Sequence, residues 1–138
     1  MTKPQYIELH AHSSHSLLDG VVSPHSLVAH AASLKMPALA LTDHDGLYGT
    51  VSFIRAAETA GIKPLLGAEV TLMDGESTAH LTLLAETSRG YANLCQIITL
   101  AHHGQSKGTA RLALADLAEH AAGLIALSGC RQGTIAKR

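Results

Sequence analysis

Two histidines, His10 and His12, follow a short run of residues 6–9 that is predicted to be a β-strand. Residues two apart in a strand point to the same side, so both imidazoles can aim at one point just beyond the strand end. Neutral imidazole is a common ligand of zinc, iron and related ions. Asp19, in the next turn, can bring a carboxylate to the same place or cap its own turn with Gly20; we favour ligation. Because histidines in this spacing also occur on ordinary surfaces, the metal-site hypothesis depends on the rest of the chain.

The composition is that of a globular chain of one domain. The 138 residues are 46% hydrophobic and 15% charged, unlike a disordered chain. A formal net charge of -1 gives no general basic surface for nucleic acid, and 3% aromatic residues provide no stacking platform for single strands. No apolar run reaches the length of a membrane span. Cys95 and Cys130 form no disulfide pattern, so a reducing cytoplasmic location is expected.

The chain contains ten histidines, as many as its lysines and arginines together, and they are not equivalent. His15 either reaches the metal site or packs under its loop. The remaining histidines outside the strand ends are predicted to be solvated or to lie at a helix C-terminus, where a partly charged imidazole is favourable; these are His25, His30, His102, His103 and His120.

Hydrophobic periodicity and turn residues predict alternating strands and helices. The predicted strands are residues 6–9, 38–41, 62–70, 80–85 and 124–127. The predicted helices are residues 24–36, 47–60, 88–103 and 111–120, and residues 132–138 resemble the start of another. This order is typical of right-handed βαβ units, and hence of an α/β fold with about five βα units of parallel strands. An open sheet and a barrel both fit it.

Residues that can bind metal are found where the predicted strands end. His10 and His12 follow the first strand, His44 the second, Glu69 the third and Cys130 the fifth. Functional sites of parallel α/β folds lie at the carboxyl ends of the strands, so we expect these side chains to converge. His80 is an exception because it begins the fourth predicted strand. Either that boundary is misplaced or His80 enters the site from the preceding loop.

The acidic residues and cysteines are assigned different roles. Glu69 can bridge two ions, whereas Asp43 is expected to support the site from behind by holding a ligating imidazole. Asp45 is predicted to be the N-cap of the second helix. The position of Cys130 at a strand end favours a thiolate ligand over a small core residue, and Cys95 is predicted to lie in the core.

Seven segments of the chain together resemble the polymerase and histidinol phosphatase (PHP) domain. They are YIELHAHS, SLLDG, PALALTDH, GLYG, GIKPLLGAE, HLTLLA and GLIALSGC. More narrowly, they resemble the PHP domain of bacterial C-family DNA polymerases, the DNA polymerase III alpha subunits, and above all their error-prone branch. The resemblance extends over nearly the whole chain.

The resemblance implies a distorted seven-stranded β/α barrel with up to three divalent ions, which are zinc, manganese or iron. The ligands carried over by motif are His10, His12, Asp19, His44, Glu69, His80 and Cys130. The family pattern continues with a late Asp-x-His, and none follows Cys130 here. We therefore expect residues 1–138 to be a PHP domain truncated before its last strands, with the polymerase domains absent.

The resemblance also implies a function. The parent protein would synthesise DNA, with DNA and other replication or repair proteins as partners and no membrane. Its PHP domain would perform metal-assisted phosphoester hydrolysis, for example as a 3′-5′ exonuclease, or would be a structural support. Two alternatives remain: a stand-alone phosphatase for a small phosphomonoester, and an inactive metal-binding remnant.

Overall fold

The computed structural model describes residues 6–129 and residue 133. Its helices are α1 (Pro24–Ser33), α2 (Thr50–Ala60), α3 (Ser88–His102) and α4 (Leu114–Glu119). Its strands are β1 (Ala38–Leu41), β2 (Lys63–Asp74), β3 (Ser77–Ala85) and β4 (Leu124–Leu127). Cys130 and the helix predicted over residues 132–138 lie outside the described residues, except for residue 133. Within the described part, no helix has both the length and the apolar character needed to cross a bilayer.

The four strands form one sheet in the order β1-β2-β3-β4. The predicted α/β class is confirmed, since helices alternate with a sheet whose β1 and β2 are parallel. The prediction of parallel strands throughout is wrong for β3, which is antiparallel to both β2 and β4. Only Gly75 and Glu76 join β2 to β3, and a parallel pair needs a crossover of a dozen residues or more. Residues 71–74 and 77–79, which lie beyond the predicted strands, extend β2 and β3 on either side of this connection.

The predicted first strand is reduced to an isolated parallel bridge between Glu8 and Leu39. The Ala40 N–H donates to the Glu8 carbonyl at 2.9 Å, and the Thr42 N–H donates to the Ala11 carbonyl at 2.9 Å. Residues 8–11 therefore still run alongside β1. His12 and the residues after it lie next to the end of β1.

Two predicted helix boundaries move because nearby residues pair with the sheet. Leu112 forms a parallel bridge with Leu72, so α4 begins at Leu114 instead of residue 111. Asp45 does not cap α2, whose N-cap is Gly49. Instead the Asp45 carboxylate accepts hydrogen bonds from the backbone N–H of Thr71 at 2.8 Å and from its hydroxyl at 2.7 Å.

The helices cover one face of the sheet and bury two apolar clusters. Phe53 lies in the cluster with α1, α2 and β1, and Leu94 lies in the cluster of α3 with β2 and β3. Along β2, Ala68 and Val70 belong to the α3 cluster. Because side chains alternate along a strand, Glu69 points to the opposite face. This alternation places a carboxylate on the side of the sheet away from the helices.

Candidate metal centre

Glu69 lies at the centre of a cluster of imidazoles. Its side chain is only 1% exposed. One carboxylate oxygen, Oε1, is 2.6 Å from His80 Nδ1 and 3.6 Å from His44 Nδ1. The other, Oε2, contacts His10 Nε2 and lies 3.8 Å from His12 Nε2. Each oxygen of one buried carboxylate therefore faces a separate pair of histidines.

Three neighbouring chain segments place these histidines. His10 and His12 follow the bridge between Glu8 and β1, and their Nε2 atoms are 2.9 Å apart. His44 follows β1 and forms a parallel bridge with Glu69 on β2. His80 lies near the start of β3, opposite Thr71. Since β3 is antiparallel, its start adjoins the carboxyl end of β2, which explains why His80 differs in strand position from the other histidines.

Asp19 reaches the cluster from the turn after the first histidines. Its Oδ2 is 2.7 Å from His44 Nε2, although the Asp19 side chain is 65% exposed. The turn is closed by hydrogen bonds from the Asp19 and Gly20 N–H groups to the Ser16 carbonyl, at 3.1 and 2.7 Å. A Cβ at Gly20 would collide with the Ser13 carbonyl, so this turn requires glycine.

Three overlapping groups of side chains have donor atoms within 4.8 Å of one another. The groups are His10, His12 and Glu69; His12, Asp19 and His44; and His44, Glu69 and His80. His44 belongs to two groups because its Nε2 faces Asp19 and its Nδ1 faces Glu69. Imidazoles mixed with carboxylates suit zinc, iron and manganese, so the donor set fits divalent metal ions.

The charges of the cluster are coupled. Burial by itself would raise the pKa of Glu69, but polar contact with His12 and the positive charges of His10, His44 and His80 outweigh it and lower this pKa to about 2. The pKa of His12 is raised above its ordinary value in turn. Its contact with Glu69 raises this pKa by more than burial lowers it. Glu69 is therefore anionic at neutral pH and ready to accept cations.

Asp43 holds a loop and not an imidazole, so the predicted role of Asp43 is corrected. Its carboxylate accepts hydrogen bonds from the Ser13 N–H at 2.6 Å, the Ser13 hydroxyl at 2.7 Å and the Ser16 hydroxyl at 2.7 Å. The Ser16 oxygen in turn accepts from the His44 N–H at 3.1 Å. Asp43 thereby fixes the backbone on both sides of the cluster. Sequence reasoning missed the two serines, whose only signal is their position beside His12 and His15.

One nitrogen of the cluster has no hydrogen-bond partner. His12 Nδ1 is buried and unpaired among the described residues. An unsatisfied buried polar atom costs about 1–3 kcal/mol. The fold holds this imidazole in place despite that cost, which is typical of residues positioned for chemistry instead of stability.

The other histidines lie outside this cluster. His15 is exposed and borders a cleft beside His44, so it does not pack under its loop. His102, predicted as a helix-terminal histidine, ends α3 and its Nε2 lies 2.7 Å from the Asp45 carbonyl oxygen. His120 follows the end of α4, and its Nδ1 lies 2.9 Å from the carbonyl oxygen of Asp116, one turn earlier in that helix.

Comparison with protein families and curated proteins gives consistent results. The PHP domain family matches residues 8–138. The chain is 47% identical to an error-prone DNA polymerase of Symbiobacterium thermophilum, over 94% of this chain and 13% of that protein. It is 39% identical to the DNA polymerase III subunit alpha of Buchnera aphidicola, over 99% of this chain and 12% of that protein. The chain thus spans about an eighth of the length of these relatives.

Solved structures share the fold. A candidate metal-dependent phosphoesterase of Bifidobacterium adolescentis superposes with a TM-score of 0.58 and 27% identity, over 72% of this chain and 34% of that one. An amidohydrolase of Chromobacterium violaceum, solved with bound sulfate and no metal, gives a TM-score of 0.59 and 34% identity, over 71% of this chain and 34% of that one.

Proposed function

The chain belongs to the PHP domain family, and on that premise we propose that its cluster binds divalent metal ions and hydrolyses phosphoesters. The proposed metal ligands are His10, His12, Asp19, His44, Glu69, His80 and, outside the described residues, Cys130. Up to three ions of zinc, manganese or iron would bind. Such ions act as Lewis acids on phosphoryl oxygens and lower the pKa of bound water.

The observation that carries this proposal is the position of Glu69. Each of its oxygens faces a different pair of imidazoles, which is the arrangement expected of a carboxylate shared by two ions. A buried carboxylate among histidines could also be a purely structural charge network. Within the described part of the chain, His12 Nδ1 has no partner and Asp19 lies exposed next to His44. Both features favour a binding site, because a structural network satisfies its buried groups.

The protein's own groups prepare the site in two ways. The low pKa of Glu69 keeps it anionic over the whole physiological pH range. The hydrogen bonds of Asp43 to Ser13 and Ser16 hold the loop between His12 and Asp19 against the segment that carries His44. Donors from distant parts of the sequence are thereby positioned before any cation binds, which reduces the ordering cost of binding.

We also propose a parent activity. The named relatives are DNA polymerases about eight times as long as the matched part, so the chain would act as the PHP part of a cytoplasmic C-family polymerase. Residues 1–138 would form part of the PHP domain of such a polymerase. DNA would be the partner, and a DNA 3′ end is a natural substrate for the hydrolytic site.

A second candidate is a stand-alone phosphatase that hydrolyses a small phosphomonoester. The structural likeness to the Bifidobacterium protein, itself a candidate phosphoesterase, favours it. Sequencing the gene downstream of the codon for Arg138 separates the two. A polymerase coding region supports the polymerase part, and its absence supports the stand-alone phosphatase or an inactive remnant.

Hydrolysis assays test the chemistry directly. Metal-stripped protein reloaded with Mn²⁺ or Zn²⁺ is assayed on bis(p-nitrophenyl) phosphate, p-nitrophenyl phosphate and 3′-labelled single-stranded DNA. We expect metal-dependent hydrolysis that His12→Ala abolishes and that the exposed His25→Ala leaves unchanged. A longer version that includes the late Asp-x-His should be far more active. Metal binding without hydrolysis by either version would identify a structural centre and contradict the proposal.

A further inference from the structure

Asp45 directly follows the proposed ligand His44, and its backbone has an unusual conformation. Its φ angle is 45°, in the left-handed region that residues with a Cβ rarely adopt. Aspartate tolerates this region better than most residues, but such a conformation persists only where surrounding contacts hold it. The direction of the His44 side chain depends on the backbone on both sides of it. The contacts that hold Asp45 therefore also help to orient the His44 imidazole.

The strand β2 holds the amide and the side chain of Asp45. The Asp45 N–H donates to the Glu69 carbonyl at 2.9 Å, which continues the bridge between His44 and Glu69. The Asp45 carboxylate accepts hydrogen bonds from the backbone N–H and the hydroxyl of Thr71, at 2.8 and 2.7 Å. These three bonds attach Asp45 to the strand that carries Glu69. None of them involves the Asp45 carbonyl oxygen.

The Asp45 carbonyl is held by His102, the last residue of α3. His102 Nε2 lies 2.7 Å from the carbonyl oxygen, and because a carbonyl oxygen can only accept, the imidazole donates its N–H. The helix end is itself fixed. Ala101 is fully buried in the α3 cluster, and its carbonyl accepts a hydrogen bond from the Arg111 N–H at 2.9 Å. Since ψ sets the direction of a carbonyl group, His102 holds the second backbone dihedral of Asp45.

His102 acts on the metal centre from outside its set of ligands. Among the described residues, neither His102 nor Asp45 belongs to any of the three groups of potential metal ligands. His44, in contrast, belongs to two of them, because its Nε2 faces Asp19 and its Nδ1 faces Glu69. A rotation of this ring moves both nitrogens away from their partners. The orientation of His44 therefore has to be fixed more closely than that of a histidine in one group.

We infer that His102 is a positioning residue of the metal centre. By donating to the Asp45 carbonyl, it holds Asp45 in its left-handed conformation. This conformation directs the His44 imidazole towards Asp19 and Glu69. The inference rests on the proposed metal site and adds to it a residue that binds no metal itself. The alternative is that the same hydrogen bond only fastens the end of α3 and has no effect on metal binding.

Metal binding by variants of His102 tests the inference. Metal-stripped protein is titrated with Co²⁺, whose visible absorption spectrum depends on the number and arrangement of its ligands. His102→Leu removes the donor and should weaken Co²⁺ binding about tenfold, the lower end of the effect expected when a residue that orients a ligand is lost. It should also change the spectrum. His102→Gln, whose amide can donate in place of the imidazole, should restore most of the affinity and the wild-type spectrum. His103→Leu, the same change at the next and exposed histidine, is the matched control and should have no effect.

Urea denaturation of the same metal-stripped variants separates positioning from stabilisation. If the hydrogen bond only fastens α3, His102→Leu lowers the free energy of unfolding but binds Co²⁺ with the affinity and spectrum of the wild type. That result would overturn the inference. Weaker binding and an altered spectrum in a variant that is still folded before the titration support it. His102→Asn, whose amide is one methylene shorter than that of glutamine, is the second variant and should resemble His102→Leu.

A metal-free measurement keeps this inference apart from the proposed function. NMR of the metal-stripped protein follows the backbone of Asp45 and the imidazole of His44. His102→Leu should shift both sets of signals and change the amide-to-Hα coupling of Asp45, which depends on φ, and His102→Gln should return them towards the wild type. Unchanged signals would overturn the inference and leave the proposed metal site intact. Shifted signals in a protein that binds no metal would support the positioning of His44 by His102 and contradict the proposed metal site.

Discussion

Two contrasting regions lie along the sheet. At one end are Glu69 and Thr82, which are paired across β2 and β3, with His80 beside them. Two residues nearer the start of β2, Gly67 is paired with Leu84 on β3, and Leu84 is paired with Ile125 on β4. Here lies an apolar groove of about 670 Å³. Its apolar lining includes Leu9, Pro64, Leu65, Leu66, Leu84, Ile125 and Leu127.

Charged side chains are usually exposed and apolar side chains buried, but these two regions show the opposite. Glu69 and Asp43 are each 1% exposed at the polar end, whereas Ile125 is 44% and Leu9 36% exposed in the apolar groove. Burying a carboxylate is costly unless it is paired, and here it is paired with imidazoles and hydroxyls. The comparison indicates that the polar end holds paired charges suited to a cation, while the groove leaves apolar side chains exposed to solvent.

The largest expected effect is on the network beneath the polar end. Asp43→Ala leaves the buried Ser13 N–H and Ser16 hydroxyl without their acceptor, at about 1–3 kcal/mol for each unsatisfied group. We expect a loss of about 4 kcal/mol in the free energy of unfolding, measured by urea denaturation followed by circular dichroism. The exposed Glu58→Ala is the control. A loss below about 1 kcal/mol would show that the loop does not depend on Asp43.

Acid should selectively destabilise the polar end. The folded-state pKa of Glu69 is about 2, against an ordinary 4.5. A lowered pKa contributes stability that is complete above pH 4.5 and is lost as the pH falls towards 2. The free energy of unfolding of the metal-stripped protein is measured between pH 4.5 and pH 2. As the pH falls, it should decrease by up to about 3 kcal/mol more in the wild type than in Glu69→Gln. Parallel curves for the two proteins would rule out the charge coupling.

Metal affinity should distinguish the two regions. Glu69→Gln keeps the shape of the side chain and removes its charge, so we expect binding of Mn²⁺ or Zn²⁺, measured by calorimetry, to weaken about a hundredfold, or ~2.7 kcal/mol. Ile125→Ala in the apolar groove should bind metal like the wild type. Similar affinities for Glu69→Gln and wild type would break the distinction between a binding region and an apolar one.

The smallest effect on stability is expected in the apolar groove. Ile125→Ser should change the free energy of unfolding by no more than about 0.5 kcal/mol, because its side chain is already partly exposed. It should nevertheless reduce binding of a hydrophobic dye and reduce self-association, measured by light scattering. Val51→Ser, an exposed position on α2, is the control. Equal effects of both substitutions would mean that the groove is ordinary surface.

Much of this molecule could be predicted from its sequence, because the relevant patterns are local. Apolar periodicity and turn residues located α1 to α3 and the apolar strands. The two-residue spacing of His10 and His12, and the position of His44 after β1, predicted that these side chains converge. Glu69 converges with them although it lies within β2 and not at its predicted end. These inferences succeed because the alternation of side chains and the end of a strand are properties of a few consecutive residues.

Tertiary structure decided what depends on distant partners. The direction of β3 follows from a two-residue connection, and it moves His80 from an apparent exception to a position beside Glu69. Asp43 became the anchor of Ser13 and Ser16, which lie 30 and 27 residues earlier in the chain. A carboxylate in a sequence carries no indication of whether it will meet an imidazole or a hydroxyl. That choice is made by how the loops pack, because hydrogen bonds are short-ranged and depend on the final positions of both partners.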